Sequence, residues 1–182
     1  MSHFDVLYPL IMSQETSKTN PTGLVEIPGD LGGLTKWGIS QAEWSRVYHR
    51  YPEYSTSVKD LTSDQARVIY SREFYPTVCD SLPLGPALVV FDCNVNQGIG
   101  IRVLQEALGV TIDGIVGPET TGAIRLAVRD IPRFTESLIW ARVSEYVRIS
   151  KASTVNQGFL AKLWLPRLIT IRQAALQFGA SE

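Results

Sequence analysis

The strongest constraint on the fold is a run of five apolar residues, Ala87 to Phe91, which begins just after Gly85 and Pro86. A helix that is apolar on all sides has no face to present to water, so this run predicts a buried helix at the centre of the protein. Pro86 suits the first turn of that helix, where its missing N–H costs nothing. We therefore expect a helical bundle built around this segment.

Helix signals recur on both sides of the central run. Residues 40–43 and 62–65 both have the sequence of a capping box and open helical runs. Further helices are predicted at 99–108, 119–128, 132–150 and 158–178, and Pro166 should kink or divide the last of them. Residues 16–39 contain five glycines and two prolines and have no helical periodicity. The sequence thus predicts a mainly α fold with a small β-hairpin or loop lobe near residues 16–39.

Composition excludes several classes of protein. The 182 residues are 45% hydrophobic and 19% charged, with a net charge of -1, which is typical of a folded soluble protein and does not favour nucleic acid. The two cysteines have no metal-ligand spacing and indicate no disulfide framework. The first residues lack the pattern of a signal peptide, and no apolar stretch approaches the ~20 residues that span a bilayer.

The candidate catalytic residues lie in, or just before, the irregular region at residues 16–39. Glu15 precedes it, and Asp30-Leu31-Gly32-Gly33-Leu34-Thr35 places a second carboxylate and a hydroxyl around a glycine turn. Cleavage of a glycoside needs a carboxylic acid that protonates the leaving oxygen and a second polar group that holds water or stabilises the cation. We expect at least one of Gly32 and Gly33 to have φ > 0. Taken alone, Asp30 fits an Asx-turn equally well, and Glu15 fits a surface carboxylate.

Three segments in order resemble one family. Residues 30–39 are similar to the Asp-x-Gly-Gly-x-Thr-x-x-Gly-Ile signature of the glycoside hydrolase family 108 N-acetylmuramidases of phages and prophages. Residues 88–98 resemble that family's central helix, with Phe91-Asp92 and then Asn96-Gln97-Gly98. Residues 104–120, around Asp113-Gly114, resemble the peptidoglycan-binding region that follows it. Together the segments span nearly the whole chain.

The resemblance implies a single lysozyme-like domain over residues 1–182, mainly α with an α+β character. Residues 1–98 would be its catalytic part and 99–182 its peptidoglycan-binding-like helical part. By the same resemblance, Glu15 is the general acid, and Asp30 and Thr35 orient water. Gly33, Trp37 and Asn96 would contact the substrate. No cofactor and no metal is implied.

The position of the acid is open to a second interpretation. The family's acid lies in a Glu-Gly-Gly-Tyr motif eight residues before the signature Asp, whereas fourteen residues separate Glu15 from Asp30. An insertion in the loop, with Glu15 as the acid, is the simpler interpretation. Glu26 is the rival, only four positions before Asp30.

Other polar and aromatic residues have structural alternatives. Asp92 is costly in an apolar helix unless it is paired, which favours a buried, hydrogen-bonded structural role. Asn96 could line the cleft or help to end its helix. Some aromatic side chains could stack on sugars, although most are expected in the core: Trp37, Trp44, Tyr48, Tyr70 and Tyr75.

The resemblance predicts an endolysin that cleaves the β-1,4 bond between N-acetylmuramic acid and N-acetylglucosamine in bacterial peptidoglycan, with inversion. A lytic transglycosylase and an inactive peptidoglycan-binding or virion protein are the alternatives. We expect a monomer made in the host cytoplasm without a signal peptide and acting on the cell wall or periplasm. A holin-type protein would then be needed for its release.

Overall fold

The computed structural model describes residues 2–17, 19–26, 33–152 and 154–179. It is mainly α, as predicted, with a single small antiparallel sheet within those ranges. The strands are β1 (Thr35–Lys36) and β2 (Ile39–Ser40). The helices are α1 (His3–Glu15), α2 (Gln41–Val47), α3 (Ser63–Ile69), α4 (Leu84–Gln97), α5 (Gly100–Leu108), α6 (Pro118–Ala127), α7 (Ile131–Ser150), α8 (Thr154–Phe159) and α9 (Leu165–Gly179).

Shorter helical turns connect these elements. Three are 3-10 turns, at Tyr48–Arg50, Val58–Asp60 and Thr77–Ser81, and two are π turns, at Tyr70–Phe74 and Leu160–Trp164. The second π turn separates α8 from α9 just before Pro166, so the predicted division of the last helix is confirmed. Both predicted capping boxes, at Ser40 and Thr62, are also present.

The chain divides into two compact units. The hairpin unit is Asp5–Glu73, which holds most of α1, the β-hairpin, α2 and α3. The helical unit is Met1–Phe4 together with Phe74–Glu182, which holds α4 to α9.

Helix α4 forms the centre of the helical unit, which confirms the prediction from its apolar run. Residues 85–93 are buried, and α5, α7 and α9 pack against this helix. The approach of α9 is close because Gly85 has no side chain: a Cβ there would lie 2.5 Å from the carbonyl oxygen of Ala175. Apolar burial on this scale is the main source of stability for the unit.

The charge of Asp92 is neutralised inside this core. Its side chain is fully buried, and its carboxylate accepts hydrogen bonds from Arg142 Nη1 at 2.5 Å and Arg167 Nη2 at 2.7 Å. Burial alone would raise the pKa of Asp92, but the two guanidinium groups outweigh it, so the pKa lies below its usual value. The predicted structural role of Asp92 is therefore confirmed.

The Asp113-Gly114 segment forms the turn that its sequence predicts. Gly114 has φ +82°, and its N–H donates to the buried Gln105 side chain at 2.7 Å. The amide nitrogen of Gln105 donates in turn to Asp113 Oδ1 at 2.7 Å and to the Ile115 carbonyl at 3.0 Å. One buried amide on α5 thus fixes the loop that leads into α6.

No helix in the described ranges has the length and apolar character needed to cross a membrane.

Candidate active site

The β-hairpin turns through two residues with positive φ. Thr35 pairs with Ser40 and Lys36 with Ile39, which leaves Trp37 and Gly38 as the turn. Their φ angles are +55° and +74°. Two positive φ angles in a two-residue hairpin loop match the twist of the flanking strands, but the left-handed region is uncommon for a side chain as large as tryptophan. Trp37 is thus a backbone outlier inside the motif that the sequence singled out.

Three hydrogen bonds hold Trp37 in this conformation. Its backbone N–H donates to the Thr22 carbonyl at 2.7 Å, and its indole N–H donates to the Leu61 carbonyl at 3.0 Å. Its carbonyl oxygen accepts from the Tyr70 hydroxyl, also at 3.0 Å. Strained backbone persists only where the surroundings over-determine it, and such residues cluster at functional sites.

The carboxylate of Glu15 lies directly against this turn. Glu15 is the last residue of α1, and its Oε2 atom is 2.9 Å from the point where a Cβ on Gly38 would be. The Tyr70 hydroxyl lies 2.5 Å from the same point. Any side chain at position 38 would therefore collide with both groups, so only glycine permits this arrangement.

The loop after α1 returns the chain to the hairpin. Asn20 organises the loop, because its side chain accepts from the Leu24 N–H and donates to the Leu24 carbonyl, both at 3.1 Å. Val25 then pairs with Thr35 through two backbone hydrogen bonds of 2.9 and 2.8 Å. Residues 20–25 are thus folded against the strand that carries Thr35.

Thr35 lies on the middle one of three paired backbone segments in the hairpin unit. It lies between Val25 on one side and Ser40 on the other, and it is half-buried. Glu15 and Thr35 are therefore tied to one small framework: the carboxylate rests on the hairpin turn, and the threonine lies on the first strand of that hairpin.

The remaining predicted site residues are placed as follows. Gly33 has φ +67°, which confirms the prediction of a left-handed glycine in this turn. Asp30 and Gly32 lie outside the described residues. Glu26, the rival acid, is an exposed residue that follows Val25.

Asn96 belongs to the helical unit, near the end of α4. Its side-chain oxygen accepts from Arg142 Nη2 at 3.5 Å and from the Tyr146 hydroxyl at 3.4 Å. The residue is exposed. Contact with the substrate stays a prediction for Asn96, as it does for Gly33 and Trp37.

Two residues of this site were not singled out from the sequence. Gly38 stood inside the signature without an assigned role, and Tyr70 was one of several aromatic residues expected mainly in the core. Tyr70 is indeed buried, with only 1% of its surface exposed, yet its hydroxyl reaches the turn. The sequence signal for the role of Gly38 is its place in a Trp-Gly pair between two short β segments, where a hairpin turn can form. The usual residues of such turns are Asn-Gly and Asp-Gly, so this pair departs from the common pattern.

Among the described residues, no group of three or more histidine, cysteine, aspartate or glutamate side chains could hold a metal ion. Glu15 is the titratable side chain held against the Trp37-Gly38 turn, and a carboxyl group can act in general acid–base catalysis.

Two successive parts of the chain match models of known protein families. Residues 10–98 match the model of the family described as glycosyl hydrolase 108, and residues 99–169 match a domain described as a predicted peptidoglycan domain. The chain carries a glycosyl hydrolase family 108 domain. It is a glycoside hydrolase that acts on peptidoglycan.

A solved structure is similar to this chain over nearly its whole length. The chain is similar to SagA of Brucella abortus, with a TM-score of 0.76 and 28% sequence identity, over 96% of this chain and 94% of that one. A search of curated proteins finds no match. The hydrolase match contains Glu15 and the complete hairpin, whereas the peptidoglycan match begins one residue before α5.

Proposed function

We propose that this hydrolase is an N-acetylmuramidase, which cleaves the β-1,4 bond between N-acetylmuramic acid and N-acetylglucosamine. The observation that carries the proposal is the contact of the Glu15 carboxylate with the strained Trp37-Gly38 turn. This contact holds a carboxyl group at the end of a helix beside the motif that resembles the muramidase signature. Positioning of a catalytic group in this way is a general source of rate enhancement.

In the proposed reaction, Glu15 is the general acid. Its carboxyl proton passes to the glycosidic oxygen as the bond to the anomeric carbon breaks, so the leaving sugar departs as a neutral alcohol. A water molecule attacks the anomeric carbon from the opposite face. Asp30 and Thr35 orient that water, and the aspartate accepts its proton.

Inversion follows from this use of water. A direct attack by water on the face opposite to the leaving group changes a β-linkage into an α-product, and no covalent glycosyl-enzyme forms. Gly33, Trp37 and Asn96 complete the proposal as substrate-binding residues. For Trp37 the binding surface would be the ring face, since the indole N–H is already bonded to Leu61.

Product analysis tests the proposal. Digestion of purified peptidoglycan should release fragments with reducing N-acetylmuramic acid ends, which borohydride reduction and mass spectrometry identify. Reducing N-acetylglucosamine ends would mean that the other glycosidic bond is cleaved. Ends with a 1,6-anhydro ring would mean that the enzyme is a lytic transglycosylase.

The resemblance to phage muramidases supports a wider proposal for the biological setting. We infer a single lysozyme-like domain whose catalytic part is residues 1–98, acting as a monomer on the cell wall. A holin-type protein would give it access to the wall from the cytoplasm. Co-expression with and without a holin tests this point, because lysis should require the holin.

A further inference from the structure

The helical unit has a groove that the catalytic proposal does not use. It lies between α5, α6 and the start of α7, with a cavity volume of about 390 Å³. All its lining residues fall within residues 99–169, the stretch that matches the predicted peptidoglycan domain. A cavity of this size takes a short peptide or a small ligand rather than a second folded chain.

One part of the groove is lined by small apolar side chains. Ala107 on α5 and Ala123 and Ala127 on α6 present methyl groups, and Leu126 stands beside them with 62% of its surface exposed. The exposed leucine and the concave alanine surface together form an apolar surface, which a ligand with small apolar groups could cover.

The other part of the groove carries two opposite charges. Asp130 caps α7, with one carboxylate oxygen accepting from the Arg133 backbone N–H at 3.1 Å. Both side chains are exposed and line the groove. Among the described residues, the Arg133 guanidinium has no hydrogen-bond or ion-pair partner. An arginine is well suited to bind a carboxylate, and an aspartate beside it suits an ammonium group.

We propose that this groove binds the peptide stem of peptidoglycan. The stem offers alanine methyl groups for the alanine-lined part, carboxylates for Arg133 and, where the cross-link is missing, a free amino group for Asp130. The glycan fits less well, because the aromatic residue of the groove, Phe134, is only 3% exposed and offers no flat face to a sugar. The proposal rests on peptidoglycan as the substrate and not on the bond that is cleaved.

The test measures binding separately from catalysis. Binding to purified sacculi is measured by co-sedimentation, in a chain that also carries Glu15→Gln to limit digestion. Arg133→Gln should weaken binding by on the order of tenfold to a hundredfold, as expected for loss of a hydrogen bond between charged groups. Asp130→Asn removes the charge but keeps a good helix cap, so any loss of binding does not reflect loss of the cap.

Arg125→Gln is the matched control. Arg125 is an exposed arginine on α6 that does not line the groove, and its removal changes the net charge by the same amount. It should bind sacculi like the parent chain. Equal loss of binding in Arg125→Gln and Arg133→Gln would mean general electrostatic attraction and would overturn the proposal.

A second comparison identifies the part of the polymer that is bound. Sacculi treated with an amidase lose their peptide stems and keep their glycan strands, so binding should fall to the level of the Arg133→Gln variant. Undiminished binding to stem-free glycan would overturn the proposal. Failure of the muramidase proposal would instead appear in the reducing ends of the digestion products, which this binding comparison does not measure.

Discussion

Gly38→Ala is the sharpest perturbation of the proposed active site. The added Cβ would lie 2.5 Å from the Tyr70 hydroxyl and 2.8 and 2.9 Å from Glu15 Cγ and Oε2, whereas ordinary contacts of a Cβ are 3.4–4 Å. The Glu15 side chain, the tyrosine or the turn must therefore move by roughly an ångström. A misplacement of this size in an active site costs on the order of 100-fold in rate.

The stability cost of the same change has two parts. The left-handed φ of +74° is unfavourable for alanine by about 1–2 kcal/mol. Overpacking typically adds about 1–3 kcal/mol. Gly109→Ala is the matched control, because Gly109 has a similar φ of +68° and no atom within 4 Å of its Cβ position.

Both variants are assayed by urea unfolding and by the rate at which they solubilise peptidoglycan. Gly109→Ala should lose about 1–2 kcal/mol of unfolding free energy and keep its rate. Gly38→Ala should lose more stability and about 100-fold in rate, at a temperature where both variants are folded. Wild-type turnover by Gly38→Ala would show that the contact between Glu15 and the turn does not matter for catalysis.

Two further predictions concern buried polar groups. Tyr70→Phe removes the hydrogen bond to the Trp37 carbonyl, so it should lower turnover severalfold. Tyr75→Phe is the control, because it loses only an exposed hydrogen bond to Asp80 and should keep its turnover. Peptidoglycan turnover and melting curves of both variants check this prediction. Asp92→Asn should lower the free energy of unfolding by about 3–5 kcal/mol in urea at neutral pH, because it leaves two guanidinium groups without their carboxylate. Since the folded-state pKa of Asp92 is lowered, its contribution is present above the ordinary carboxyl pKa and is lost as the pH falls through the folded value. The stability difference between wild type and Asp92→Asn should therefore shrink in acid.

The helices were predictable because their signals are local. The capping boxes at Ser40 and Thr62 and the apolar run of α4 each lie within a few residues of the element that they specify. The π turn before Pro166 follows from the missing N–H of a proline. Such signals need no knowledge of the tertiary structure.

The geometry of the site depends on distant contacts, which the sequence does not reveal. Trp37 adopts a positive φ because Thr22, Leu61 and Tyr70 bond to it from three separate segments. Nothing in a Trp-Gly pair indicates those partners. In the same way, the sequence showed that Asp92 needs a partner, but Arg142 and Arg167 are 50 and 75 residues away.

Glu15 is the proposed general acid of this hydrolase. The most direct measurement is the initial rate of muropeptide release by Glu15→Gln, beside wild type and Glu26→Gln, with circular dichroism to confirm that each is folded. We expect Glu15→Gln to lose on the order of 100-fold or more in rate, the usual contribution of a general acid, and Glu26→Gln to keep its activity. Wild-type turnover by Glu15→Gln together with an inactive, folded Glu26→Gln would contradict this expectation and make Glu26 the acid.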